Sequence, residues 1–269
     1  SLPENYEEHE KCLGLFHLAR GEDYKNKIIE ELDGFVAGYS KWIENQISEN
    51  DDISEDLAQA RDVIIARLNK AAERMARGVR LLERDKNIFN AFCLANEAML
   101  LQHIHAHENY SGTRREPGEK EYDFPDIKHH RDRKWRPFQL AFILLTIPSI
   151  AFPEDPDRNI VDLIWFPTGG GKTEAYLASS AFLIFYRRMM YGKAGVGTAI
   201  IMRYTLRLLT AQQFQRASTL LCACELMRQK NPELLGDSEI TIGLWIGGNG
   251  APNTLESAYK DLNKYLHGE

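Results

Sequence analysis

Gly169, Gly170 and Gly171 are followed at once by Lys172 and Thr173 within the stretch "WFPTGGGKTEAY". These residue types in this order suit the holding of phosphate. Three residues without a Cβ let the backbone curl and aim several N–H groups into one concavity. A lysine directly after the bend can reach β- and γ-phosphates, and a threonine hydroxyl can ligate Mg²⁺. The apolar run "IVDLIWF" precedes the bend and "TEAYLASSAFLIFYRRM" follows it with helical character, so a helix dipole adds its positive end to the cup. The pattern departs from GxxxxGK[ST] at one position, where Phe166 stands in place of the first glycine. ATP with Mg²⁺ is the expected ligand. Thr168, Gly169, Gly170, Gly171, Lys172 and Thr173 are its expected binding residues, with Lys172 and Thr173 as the catalytic groups and Thr173 as the metal ligand. An ordinary glycine-rich turn is the structural alternative.

The elements that would position this bend divide the chain in two. From Leu57 to Leu82, apolar residues fall at Leu57, Ile64, Leu68, Ala71, Met75, Val79 and Leu82, steps that draw one stripe along a helix. Asp52 and Glu55 have the spacing of a capping box at its start. Arg61, Arg67, Arg74, Arg77 and Arg80 lie on or beside the rest of its surface, as a solvated face or as a track for a phosphate backbone. A second helix is expected over 87–108. His103 and His107 share a face there, but no third ligand is apparent, and a structural or exposed role is expected for them. Residues 109–137 carry Gly, several prolines and many charges, and read as a linker. Beyond it the pattern becomes helix (137–145), strand (160–166), helix (172–191), strand (198–203), helix (206–229) and strand (240–245). Short Ile- and Val-rich runs alternating with helices predict a parallel sheet covered on both faces.

Composition sets outer bounds. In 269 residues, 43% hydrophobic content is ample for a core, and a net charge of −6 leaves nucleic acid to a local patch rather than a global field. Cys12 and Cys93 are isolated and Cys222 and Cys224 are one residue apart, which is neither a zinc spacing nor a disulfide framework, so reduced thiols and a cytoplasmic location are expected. The longest apolar run, "FQLAFILLTIPSIAF", is broken by Pro148 and is shorter than the roughly 20 residues a bilayer requires, so no membrane partner is expected. The opening "SLPENYEEHEK" is acidic and unlike a signal peptide, and the missing initiator Met suggests a piece of a longer protein.

Several motifs in order resemble a known group. "PTGGGKT" resembles motif I of superfamily 2 helicases and translocases, where the first glycine is often replaced. "WRPFQ", about thirty residues upstream, resembles the segment in which an Arg and a Gln recognise adenine, which implies that role for Arg136 and Gln139. The Gln amide both donates and accepts, as adenine N6 and N7 require. "TAIIMRYTLRLLTAQQFQRA" resembles motif Ia and implies a grip on a nucleic-acid backbone by Arg203, Thr205 and Arg207; a capped helix start is the plainer reading. "IGLWIGGNGAPN" resembles the later glycine-pair segment, at Gly247 and Gly248. Together with "FCLANEAMLLQ", these motifs over about residues 88–254 are similar to the helicase subunit of DISARM-type anti-phage defence systems.

The resemblance implies an ATP-driven motor acting on phage or plasmid DNA together with a partner subunit. The expected architecture is α/β: an α-helical region over 1–125, then over 126–269 the first part of a RecA-like P-loop motor domain. No acidic motif II follows Thr173, since "DSEI" at Asp237 has the wrong order. The chain alone is therefore expected to bind ATP–Mg²⁺ but to hydrolyse it negligibly. A nucleotide-dependent switch or kinase, and a non-enzymatic partner-docking module, are the alternatives.

Overall fold

The computed structural model describes residues 12–49, 54–110, 132–165, 167, 169–204, 207–245, 252 and 254–267. Along the chain they form helices at Leu15–Leu18 (α1), Lys25–Glu49 (α2), Glu55–Arg84 (α3), Lys86–Tyr110 (α4), Pro137–Ala151 (α5), Lys172–Tyr191 (α6), Arg207–Lys230 (α7), Pro232–Leu235 (α8) and Leu255–His267 (α9). A helix with apolar side chains all round must be covered on every side. Helix α4 is of this kind, with Ile88, Phe89, Ala91, Phe92, Ala95, Ala98, Met99, Leu100, Leu101 and Ile104 buried. It is wrapped by α1, α3, α6 and α7, while α5 packs on α3 and α6, and α2 packs on α3. Phe89 and Phe92 of α4 and Phe182 and Phe185 of α6 are the largest side chains with no exposure to water at all. Each contributes roughly 1.5–3 kcal/mol relative to an exposed position. One hydrophobic cluster runs without a break from Cys12 to Leu235.

Local chemistry fixes the helix ends. Asp85 separates α3 from α4 and shapes both termini. Its extended backbone stops α3, and its carboxylate accepts the N–H groups of Asn87 and Ile88 at 2.8 and 3.0 Å. Pro137 opens α5 at the position where a missing N–H is harmless, and the Gln139 side-chain oxygen accepts the Arg136 N–H at 2.8 Å, one half of a capping box. Trp135, just ahead, is buried and donates its indole N–H to Asn96 Oδ1 at 2.7 Å, tying the start of α5 to the middle of α4. The apolar stripe of α3 is used over half its length: Met75, Val79 and Leu82 are buried, whereas Leu57 and Ile64 remain exposed. Asp52, expected to cap this helix, lies outside the described residues.

Helix α5 runs past its expected end at residue 145 and includes Pro148. A proline there has no N–H to offer the carbonyl four residues back, which is that of Leu144. That carbonyl meets Gly78 of α3, so closely that a Cβ built on Gly78 would lie 2.1 Å from the Leu144 oxygen. The two helices touch backbone to backbone at this point.

The expected α/β architecture is overturned. Among the described residues there is no strand, and the one isolated bridge pairs Gly14 with Lys134. Among the described residues the fold is helical, so the parallel sheet of a partial RecA-like domain expected over 126–269 is not supported. The described residues of the three expected strands are irregular rather than laddered. Val161, Leu163, Trp165, Ile201, Ile242, Leu244 and Trp245 are exposed, Val161 at 92%. Side chains pin the first and last of these segments instead of a ladder. Arg74 holds Asp162 at 2.5 and 2.8 Å. Arg188 donates to the Ser238 and Glu239 carbonyls at 2.5 and 2.9 Å, and Glu225 accepts the Ile240 N–H at 2.9 Å. The hydrogen bonds from Arg228 hold the Glu225 carboxyl down to about 2, against the opposing effect of burial.

Two stability predictions follow from this packing. Gly78→Ala drives a methyl into the Leu144 carbonyl, and the net loss expected from chemical denaturation is about 1–3 kcal/mol despite the better helix propensity of alanine. Glu97 of α4 is pushed up to about 7 by burial, with Lys230 opposing. A carboxyl whose folded pKa lies above its unfolded one stabilises fully below the unfolded value and loses that contribution as pH rises through about 7. Glu97→Gln should therefore melt higher than the parent at pH 8 and show no such advantage at pH 4, as measured by thermal denaturation at the two pH values.

Candidate functional site

The glycine bend sits directly on the N-terminus of α6. Gly169 and Gly171 take left-handed backbone angles, φ +78° and +81°, which residues with a Cβ adopt at a cost. The Gly170 N–H closes a tight turn on the Pro167 carbonyl at 3.1 Å, and the Lys172 ammonium donates to the same oxygen at 3.1 Å. No side chain caps α6 by a hydrogen bond, and Lys172 is its first residue.

Two side chains from the start of α5 grip the bend from beneath. Arg136 Nη1 donates to the Gly170 carbonyl at 2.8 Å, and Gln139 Nε2 donates to the Gly171 carbonyl at 2.7 Å. In a trans peptide the carbonyl and the following N–H point in opposite directions. Among the described residues no peptide is cis. Drawing the two carbonyls down towards α5 therefore turns the N–H groups of Gly171 and Lys172 the other way. The space under Gly171 is filled: a Cβ there would meet Gln139 Nε2 at 2.7 Å and Glu174 Oε2 at 3.3 Å, whereas nothing lies within 4 Å of one built on Gly169.

Behind the bend lies a polar cluster. Glu174, in the first turn of α6 where a negative charge suits the helix dipole, pairs through Oε1 with Arg216 of α7. Its Oε2 is buried without a hydrogen-bond partner. His103 of α4 is held below its ordinary pKa by burial, with Glu174 opposing and Arg133 and Arg216 adding to the shift. The donor set matches an anionic group: N–H groups turned outward, an ammonium at the rim, and no acidic side chain among the bend's own residues.

The other expected site residues are spread more widely. Gln139 is buried at 5% exposure and uses both ends of its amide inside the protein, accepting from Arg136 N and donating to Gly171 O. One N–H and one lone pair of that amide remain for a further partner. Thr173 is half-buried in the first turn of α6, and Thr168 lies outside the described residues. Arg203 is exposed on the segment before α7. Arg207 opens α7, with its side chain outside what the structure describes, and Thr205, Gly247 and Gly248 lie outside the described residues.

Sequence reasoning missed the ion pair between Glu174 and Arg216, partners 42 residues apart that no spacing rule connects. It also took the arginines of α3 as one surface. Arg74 is buried, and Arg74 and Arg77 face Asp155, Asp157 and Asp162. An aspartate-rich turn, "PEDPDRNIVD", was the available signal.

Fold and bend together define a helical protein with a glycine-rich, lysine-terminated turn at a helix N-terminus. No family model matches the chain. It is similar to the DISARM protein DrmA of Bacillus paralicheniformis (strain ATCC 9945a / NCIMB 11709 / CD-2), with 36% identity over 277 aligned positions. The alignment takes in 98% of this chain but 24% of that relative, so the chain spans about a quarter of the relative's length.

Gly171→Ala tests the packing under the bend. The left-handed backbone and the Gln139 amide both oppose a methyl there, and a loss of about 1–2 kcal/mol is expected in denaturant unfolding. Gly169→Ala carries the backbone strain alone and should cost less.

Proposed function

We propose that this chain is the nucleotide-binding part of an anti-phage defence protein of the DISARM type, and that it binds ATP with Mg²⁺ at the bend formed by Gly169, Gly170, Gly171, Lys172 and Thr173. The observation that carries this reading is the grip of Arg136 and Gln139 on the Gly170 and Gly171 carbonyls, which turns two amide N–H groups outward beside the Lys172 ammonium at the start of α6. Such donors need no reorganisation when an anion arrives, and a helix dipole adds to their attraction. Lys172 would leave the Pro167 carbonyl for the β- and γ-phosphates, and Thr173 would supply the hydroxyl for Mg²⁺. The metal would contribute charge neutralisation across the phosphates. Thr168 would join the cup, and the remaining amide capacity of Gln139, with Arg136, is assigned to adenine. Arg203, Thr205 and Arg207 are assigned to a DNA backbone.

The relationship to the DISARM protein DrmA supports membership of a multi-subunit defence system. Within it, a superfamily 2 helicase or translocase activity is proposed for the longer protein, whose catalytic carboxylates would lie outside the sequence described here. A partner-docking role has one observation in its favour. Helix α9 exposes Leu255, Tyr259, Leu262 and Leu266 at helical spacing, an apolar stripe that the described residues leave uncovered.

Titration calorimetry with a non-hydrolysable ATP analogue and Mg²⁺ tests the reading. The parent chain should bind, Lys172→Ala should bind at least about tenfold more weakly, and steady-state ATP turnover by either should be negligible. Equal affinity in the two proteins, or none in the parent, refutes nucleotide binding at this bend.

A further inference from the structure

A second set of charges lies away from the bend, between α3 and the segment that leads into it. The short 3-10 turn Pro156–Asn159 follows α5, and Asp155 caps it by accepting the Asp157 N–H at 2.9 Å. Asp155 and Asp157 are both buried. Three cations from one face of α3 meet them. Arg77 donates to Asp157 at 2.7 Å and pairs with Asp155. Lys70 lies 3.7 Å from Asp157. Arg74, the most deeply buried of the three, reaches further along the chain. It forms a two-pronged pair with Asp162, Nη1 to Oδ1 at 2.5 Å and Nη2 to Oδ2 at 2.8 Å, with Nε 3.4 Å from Asp157.

Three positive charges thus face three carboxylates; Arg74, Asp155 and Asp157 are buried, Arg77 and Asp162 are partly exposed, and Lys70 lies at the wet edge. Surface pairs of lysine and aspartate are worth little and are screened by salt, but a buried guanidinium–carboxylate fork is both directional and poorly screened. Asp162 is the outlier of the three acids. It belongs to the segment 160–165, which has no strand partner among the described residues and is otherwise largely exposed. A few residues on, the Pro167 carbonyl accepts both the Gly170 N–H and the Lys172 ammonium. Helix α3 holds the bend by a second route as well. Gly78 is keyed against Leu144 of α5, and the start of α5 grips Gly170 and Gly171.

We infer that Arg74 is a positioning residue for the glycine bend: by forking onto Asp162 it fixes the leading limb of the bend relative to α3, as Arg136 and Gln139 fix its crest relative to α5. As a statement about nucleotide affinity this rests on the proposed function above. As a statement about the bend's order it stands on the geometry alone. Because coupling is reciprocal, filling the bend also stiffens the hold of α3 on the limb.

The test compares three variants of the full chain. Arg74→Gln and Asp162→Asn each break the fork, and Asp162→Asn leaves the Arg77 pairs intact. Arg77→Gln is the control, since it breaks buried pairs of the same network without touching Asp162. Amide hydrogen exchange is read over 160–172, and affinity for a non-hydrolysable ATP analogue with Mg²⁺ is read at a temperature where circular dichroism shows all proteins folded. Within this stretch the Gly170 amide, bonded to the Pro167 carbonyl, should exchange about tenfold or more faster in Arg74→Gln and Asp162→Asn, and remain near the parent rate in Arg77→Gln. Affinity should fall by about tenfold in the first two and by less than about twofold in the third. Unchanged exchange in Asp162→Asn, or equal loosening in Arg77→Gln, overturns the inference. Quickened exchange in the fork variants alongside a parent that binds no analogue upholds the positioning role and refutes the nucleotide reading instead. If Arg74→Gln does not fold, Asp162→Asn against Arg77→Gln decides the matter alone.

Discussion

A trans peptide plane cannot present its oxygen and the next hydrogen on the same side. This constraint governs the glycine bend. Glycines give the backbone freedom to adopt many shapes, and most of them scatter their N–H groups. The Arg136 guanidinium and the Gln139 amide remove that freedom by holding two successive carbonyls. Much of the remaining architecture can be seen as support for those two side chains. Trp135 is buried and bonded to Asn96, which places the start of α5 against α4, the helix around which the core is assembled.

The same logic explains where charge is allowed indoors. Buried ions carry a large desolvation cost, which is offset only when each finds a well-oriented opposite. Between α3 and the turn after α5, basic and acidic side chains balance, and Asp155 also accepts the Asp157 backbone N–H. Arg188 solves the problem differently, spending its donors on the carbonyls of Leu235, Ser238 and Glu239 rather than on a carboxylate. In both places an arginine does for irregular backbone what a neighbouring strand does in a sheet.

How far the sequence disclosed this depends on the range of the interaction concerned. The helices over 55–84, 86–110 and 172–191 were legible because their apolar spacing and ends are encoded within a few residues. The sheet was a misreading with a clear cause. Val161, Leu163, Ile201 and Ile242 are the residue types that strands favour, yet residue type says nothing about whether a second backbone runs alongside, and among the described residues none does. Lys172 and the glycines were singled out through local spacing, and the structure places them in a bend at the start of α6. Arg74 was seen but assigned to a solvated face or a phosphate track, because its partner Asp162 lies 88 residues away and only folding brings the two together.

The contact of Gly78 with the Leu144 oxygen has a mechanical consequence. Pro148 withholds the hydrogen that would have drawn this oxygen into its own helix, and the one residue of α3 lacking a side chain stands over it. Sliding α3 by one turn would bring Arg74, Met75, Leu81 or Leu82 towards the oxygen, and each has a Cβ that cannot fit there. The two rods therefore mesh at one tooth. Any motion passed from α3 to the bend must be a tilt or a swing about that tooth, since translation along the rod is blocked.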